Sequence, residues 1–164
     1  LYMKALMLTI QLENKHEDAP APSIEIPVIY GGEYGPDLDA LLAHYKLDFE
    51  KFVKLHTQPT YFVSMMGYTP GFPYLTGMSK RLFVNHTGGN KTFIPAGSVI
   101  IEGKKTGITT TDTYGDWLVI GYTTLELFSP NKQPFTRLAL GDNVRFKAYE
   151  ADQLKLGGFK PCQS

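Results

Sequence analysis

The stretch Gly67-Tyr-Thr-Pro-Gly-Phe-Pro-Tyr-Leu75, followed after a Gly88-Gly89 turn by Phe93-Ile-Pro-Ala-Gly-Ser98, decides how this chain is read. Its glycines allow positive φ or close backbone approach, while Pro70, Pro73 and Pro95 fix φ and remove hydrogen-bond donors. Rigid turns alternating with aromatics predict a shaped surface rather than a connector. Around this stretch, short β-like runs follow one another: Tyr61–Tyr68, Leu82–Val84, Lys91–Ile94, Ser98–Glu102, Trp117–Tyr122, Leu125–Phe128 and Asn143–Tyr149. Many short strands punctuated by Gly, Pro, Asn and Asp, with no helix between them, predict a barrel or a sandwich. After Leu140-Gly-Asp-Asn, the residues Val144, Phe146 and Ala148 alternate with Arg145 and Lys147, which reads as a turn into a half-buried strand.

Upstream the pattern changes. Leu1, Ala5, Leu8 and Leu12 recur at helical spacing, Asn14–Ser23 reads as a Pro-rich linker, and Ile24–Tyr30 reads as an edge strand because Pro27 lacks a ladder donor. Gly35-Pro36-Asp37 starts a helix with Leu38, Leu41 and Leu42 on its apolar face. Asp48 can cap a second helix whose inward positions are Phe49, Phe52, Val53 and His56. Leu156–Ser164, with Gly157-Gly158 and Pro161, reads as a flexible tail.

The 164 residues carry 16 basic and 16 acidic side chains, so the net charge is zero and nothing predicts attraction to nucleic acid or an anionic membrane. No apolar run is long enough to span a bilayer, and Leu1–Leu12 lacks the basic flank and cleavage pattern of a signal peptide. One cysteine, Cys162, permits no internal disulfide and fits a reducing cytoplasm. Four scattered histidines with one cysteine give no zinc signature, and neither a Walker-type loop nor a dinucleotide fingerprint occurs. Pro95-Ala-Gly-Ser98 lacks the Gly-x-Ser-x-Gly of a serine elbow, so Ser98 is read as starting a strand.

Three constellations could carry chemistry. Lys104-Lys105-Thr106-Gly107 before Thr109, Thr110 and Thr111 could hold an anion, although a solvated hairpin tip is the simpler reading. Asp112 with Asp116 could serve a metal or act as a base, and both are equally good turn residues beside Gly115. Tyr68, Phe72, Tyr74 and Trp117 could line an apolar site, with core packing as the alternative for Phe72 and Trp117.

The series Tyr30-Gly-Gly-Glu-Tyr-Gly-Pro-Asp-Leu38, Leu55-His56, Gly67 to Leu75, Pro95-Ala-Gly-Ser-Val99, Thr106-Gly-Ile108, Trp117 with Ile120-Gly121, and Gly141-Asp-Asn-Val-Arg-Phe146 resembles the KipI / PxpB family, also described as allophanate hydrolase subunit 1. The ordered recurrence over Ile24–Tyr149 is what makes the match specific. The resemblance implies a mainly β protein: a cyclophilin-like β-barrel over 61–150, preceded over 1–60 by the tail of an N-terminal α/β domain and followed by a tail over 151–164. It also implies one subunit of an ATP-dependent 5-oxoprolinase, working with a homologous barrel subunit and a third protein, with ATP and Mg used by the complex. The chemistry is activation of a lactam carbonyl by phosphoryl transfer and ring opening by water to glutamate. The implied substrate site comprises Gly71, Phe72, Tyr74, Lys91, Lys105 and Trp117, with His56 a secondary candidate read as structural.

The chain departs from the family pattern in places that matter. Asn85-His86-Thr87 and Gly89-Asn90-Lys91 stand where the family carries Pro-Arg-Arg and Thr-Pro-Arg, and Lys105 stands for Gln. Tyr114-Gly115-Asp116 replaces Pro-Gly-Gly, and Gly121-Tyr122-Thr123-Thr124 replaces Gly-Arg-Thr-Pro. Lysine does not reproduce the bidentate fork of arginine. Two rival readings follow: a non-catalytic module that docks and inhibits a histidine kinase, and a carboxyltransferase-like domain of a urea carboxylase or allophanate hydrolase system.

Overall fold

The computed structural model describes residues 22–85 and 89–154, together with Cys162. The helix expected over Leu1–Leu12, most of the Pro-rich linker, the 86–88 part of the altered stretch and all of the expected tail except Cys162 lie outside the described residues.

The strands are β1 (Ser23–Tyr30), β2 (Tyr61–Met66), β3 (Pro73–Thr76), β4 (Thr92–Ile94), β5 (Ser98–Glu102), β6 (Lys105–Ile108), β7 (Thr113–Gly115), β8 (Leu118–Tyr122) and β9 (Asn143–Ala148). Seven of them close a barrel in the order β1-β8-β5-β6-β3-β2-β9, while β4 and β7 form a separate two-stranded ribbon. Closure comes from β9 returning beside β1 in parallel, with Ser23 opposite Asn143 and Val28 opposite Ala148. Two short helices, α1 (Leu38–Tyr45) and α2 (Phe49–Thr57), link β1 to β2, as the spacing of Leu38, Leu41 and Leu42 predicted. Asp48 caps α2 by accepting a hydrogen bond from the Lys51 amide at 2.7 Å. Asp48→Ala is expected to cost about 1 kcal/mol, read as a lower urea midpoint with an unchanged slope.

Strand β5 shows how two apolar layers arise. Val99 and Ile101 belong to the barrel interior with Val63, Leu75, Ile108 and Val144. Ile100, between them, belongs instead to an outer cluster with Phe72, Ile94, Trp117 and Val119. A strand covered on both faces reads as an unbroken apolar run, which is why Val99-Ile-Ile101 shows no alternation. The outer layer lies between the barrel wall and the β4–β7 ribbon, whose Ile94 it includes. By contrast β9 alternates over most of its length, with Val144 and Phe146 buried and Arg145 and Lys147 exposed, but Ala148, expected inward, is exposed at its end.

Several expectations change. Ile24–Tyr30 is not an edge strand, since β1 pairs with β9 along Ser23–Val28 and with β8 at Ile29 and Tyr30. Pro27 sits where only the β9 flank is paired, so its missing donor leaves the β8 ladder intact. Because β1 is a barrel stave, a cut after residue 60 would part it from both neighbours. Leu82–Val84 is not a strand: Lys80–Leu82 is a 3₁₀ turn, and Val84 donates one backbone bond to the Gly103 carbonyl at 3.0 Å. Leu125–Phe128 forms only a single bridge, Phe128 to Thr136. Phe49, expected to face inward, is exposed at the first turn of α2, whereas Phe52 and His56 are buried. The basic tip is displaced by one residue: Glu102 pairs with Lys105, so the turn is Gly103-Lys104 and Lys105 opens β6.

Candidate functional site

Between β2 and β3 the chain arches over the outer apolar layer. The arch closes on itself, with the Gly67 amide donating to Phe72 O and the Phe72 amide to Thr69 O, each at 3.1 Å. Gly71 takes φ +74°, and a Cβ there would stand 3.0 Å from Phe128 Cβ and 3.2 Å from Thr136 Cγ2. Glycine is therefore required for both conformation and space. The arch is tied to the chain leading into β7. The Thr110 hydroxyl donates to Pro70 O at 2.6 Å, which leaves its oxygen to accept from Thr69 Oγ1 at 3.1 Å.

This geometry brings most of the anticipated residues together. Phe72 lies 4.8 Å from the Tyr74 ring, 5.3 Å from the Trp117 ring and 6.0 Å from the Tyr68 ring. Phe72 is fully buried and Trp117 is 7% exposed, so both support the surface from beneath rather than present themselves to a ligand. Tyr74 is half-buried, and the Lys105 ammonium stands 5.7 Å from its ring centroid. Burial first, then Glu102 and Tyr68, push the Tyr74 phenol above its ordinary range, which keeps it a protonated donor at neutral pH. No carboxylate among the described residues forms an ion pair with Lys105. Lys91 is exposed just before β4 and makes no ring contact or ion pair with the described residues, so it is not joined to the aromatic set.

His56 belongs to the opposite face of the wall. Lys105 faces outward beside Tyr74, but the next residue, Thr106, points into the barrel and meets His56 Nε2 at 3.2 Å. The Thr106 hydroxyl proton is given to Ile100 O at 2.7 Å, so its oxygen accepts from Nε2–H. That assigns Nδ1 as the acceptor of the Tyr30 hydroxyl at 2.7 Å. The imidazole also stacks on Phe146, at 4.6 Å between centroids. Full burial holds its pKa down at about 3, so it is neutral and structural, in line with the reading of the sequence.

Of the remaining candidates, Ser98 opens β5 and donates to Pro95 O at 2.8 Å. Asp112 accepts from the Ala96 amide at 3.0 Å, a turn role. Among the described residues no group of three or more His, Cys, Asp or Glu is placed to hold a metal. Two features escaped sequence reasoning. One is a cleft of about 250 Å³ where Ala96-Gly97, Thr109-Thr110 and Tyr122–Phe128 converge, from segments too far apart in sequence to be associated. The other is the backbone of Tyr68, which takes φ +70°. Its only signal is an aromatic residue set in a turn whose other bends use glycine.

Residues 2–138 match the family described as carboxyltransferase domain, subdomain C and D. The chain is 46% identical over 123 residues to a 5-oxoprolinase subunit of Bacillus subtilis (strain 168), covering 75% of this chain and 51% of that protein. It is 42% identical over 134 residues to the corresponding 5-oxoprolinase subunit of Haemophilus influenzae, covering 82% and 63%. Among solved structures, a conserved uncharacterized protein of Pyrococcus horikoshii superposes with TM-score 0.75 at 34% identity, covering 93% of this chain and 68% of that one. The chain thus spans between half and two thirds of the length of these 5-oxoprolinase relatives. With the ordered motifs carried by a closed barrel and its arch, the chain belongs to the carboxyltransferase-domain family, subdomains C and D, in its 5-oxoprolinase (KipI / PxpB-like) branch.

Proposed function

We propose that this chain is part of a subunit of an ATP-dependent 5-oxoprolinase that opens 5-oxoproline to glutamate. The observation that carries the reading is its 46% identity, over 123 residues, to a protein named for that activity. The subunit works with a homologous barrel subunit and a third subunit, in the cytoplasm, where ATP is available. The barrel is of the cyclophilin-like kind, with its first stave beginning at Ser23, and it follows an N-terminal α/β domain in the full-length subunit.

The proposed substrate surface is the arch and its flank: Gly71, Tyr74 and Lys105 at the rim, with Phe72 and Trp117 beneath. The Lys105 ammonium supplies the charge for the carboxylate of 5-oxoproline, and the aromatic layer excludes water from the ring. Lys91, exposed on the segment before β4, is the second cation proposed for the substrate, although it makes no contact with the aromatic set in this structure. ATP with Mg acts at the level of the complex.

Reconstitution of the full-length subunit with the two partner proteins tests this reading. Turnover of ATP that depends on 5-oxoproline, and that ceases when this subunit is omitted, is the expected result. A well-folded three-protein assembly with no 5-oxoproline-dependent turnover would refute it and favour the module that docks a histidine kinase.

A further inference from the structure

Tyr68 carries a combination that packing does not account for. It and Lys46 are the non-glycine residues with positive φ among the described residues, and Lys46 occupies a helix C-cap, where left-handed geometry is common. Tyr68 caps no helix. Seven glycines, from Gly31 to Gly141, serve the other positive-φ positions, so the chain keeps an aromatic side chain here against the usual backbone preference. The ring is 58% exposed, yet stands edge-on to Trp117 at 4.7 Å. The phenol donates to the Tyr114 carbonyl at 3.0 Å, across to β7 of the ribbon. With the Thr110 to Pro70 bond, this contact fixes the ribbon against the arch. The ribbon's partner strand β4 follows directly on Lys91. A residue held in an unfavourable backbone region by several independent contacts marks a place where orientation matters.

We infer that Tyr68 is a positioning and specificity-determining residue of the proposed substrate surface. Its phenol clamps the ribbon that carries Lys91. Its exposed ring forms the apolar wall for a small anionic ring whose charge is taken by Lys105. The buried Phe72 ring contacts both the Tyr68 ring, at 6.0 Å, and the Tyr74 ring, at 4.8 Å. The inference rests on the 5-oxoprolinase reading, and the test separates the two.

In the reconstituted assembly, 5-oxoproline-dependent ATP turnover is measured for the wild type, Tyr68→Phe and Tyr68→Gly. Tyr68→Gly relieves the positive φ but gives up the bond to Tyr114 O and the contact with Trp117, so its thermal midpoint should fall modestly and the kinetics are read well below it. Its KM for 5-oxoproline should rise at least about tenfold with kcat within about threefold, the pattern of lost substrate positioning. Tyr68→Phe keeps the ring and loses only the clamp, and should restore most of the affinity, leaving KM about two- to fourfold high. Wild-type turnover with unchanged KM in both variants overturns the role of Tyr68 and leaves the function standing. A lowered midpoint in Tyr68→Gly with unchanged KM also overturns it, by showing a structural role. No turnover in the wild type overturns the function and this inference with it.

Discussion

Replacing Gly35 with alanine is expected to destabilise the protein by about 3 kcal/mol or more, which for a domain of this size is a large part of its total stability. The reason is backbone proximity. A Cβ on Gly35 would stand 2.2 Å from Ile120 O and 2.8 Å from Gly121 N. Both atoms belong to β8, the stave between β1 and β5. The segment cannot retreat, because the Gly31 amide donates to Ile120 O and the Asp37 amide to Val119 O, both at 3.1 Å. In return the Val119 amide donates to Asp37 Oδ2 at 2.7 Å. Gly67→Ala is the control, since a Cβ there meets nothing within 4 Å. Urea denaturation should show a large fall in midpoint for Gly35→Ala and a change under about 1 kcal/mol for Gly67→Ala. Equal effects would mean that the approach of Gly35 to β8 is not a constraint.

Acid should destabilise the fold through His56. Burial holds the folded imidazole down at about 3, against 6.5 for a free one. Between those values the unfolded chain binds a proton that the folded chain does not, so stability rises with pH across the window. The contribution is fully present above about pH 6.5 and is lost as the pH falls toward 3, by about 1.4 kcal/mol per unit and about 5 kcal/mol at most. His56→Phe keeps an aromatic ring against Phe146 but cannot titrate. It leaves the buried Tyr30 hydroxyl without its acceptor, which should cost about 1–3 kcal/mol at pH 7. Between pH 7 and pH 4.5 the variant should lose much less stability than the wild type. Parallel losses would show that His56 is not the group responsible.

Where side chains declare their face, the fold was legible. Val144 and Phe146 alternate with Arg145 and Lys147, and Val99-Ile-Ile101 is apolar without a break, so both became strands. Strands β3 and β6 were not legible, because their pairing rather than their composition makes them strands. Pro73-Tyr-Leu-Thr76 and Lys105-Thr-Gly-Ile108 are only four residues each and carry a Pro or a Gly, which reads as turn, yet Tyr74 pairs with Gly107 and Leu75 with Thr106. Thr106 can face the barrel interior only because His56 and Ile100 O satisfy its hydroxyl. The converse error is Leu125–Phe128, an apolar run that finds a single bridging partner.

The candidate site divides in the same way. The aromatic set was legible as residue types around a Pro-Gly turn, and the arch gathers Phe72, Tyr74 and Trp117 as that composition suggested. Which rings stay exposed was not legible, because burial depends on the ribbon lying over them. Lys105 reaches the set only through the two-residue turn that places it on β6, outward beside Tyr74. Lys91 stands on the exposed segment before β4, where among the described residues no ion pair or ring contact fixes its direction.

The central claim is that the outer face of β6, with the arch, binds the anionic substrate. The most direct measurement is the KM for 5-oxoproline of the reconstituted assembly with Lys105→Met, which keeps side-chain length over Tyr74 and removes the charge. Loss of a charge-assisted contact predicts a KM about tenfold or more above wild type with kcat largely kept, and partial recovery in Lys105→Arg. An unchanged KM in a folded, active Lys105→Met assembly would contradict the claim and place the substrate elsewhere.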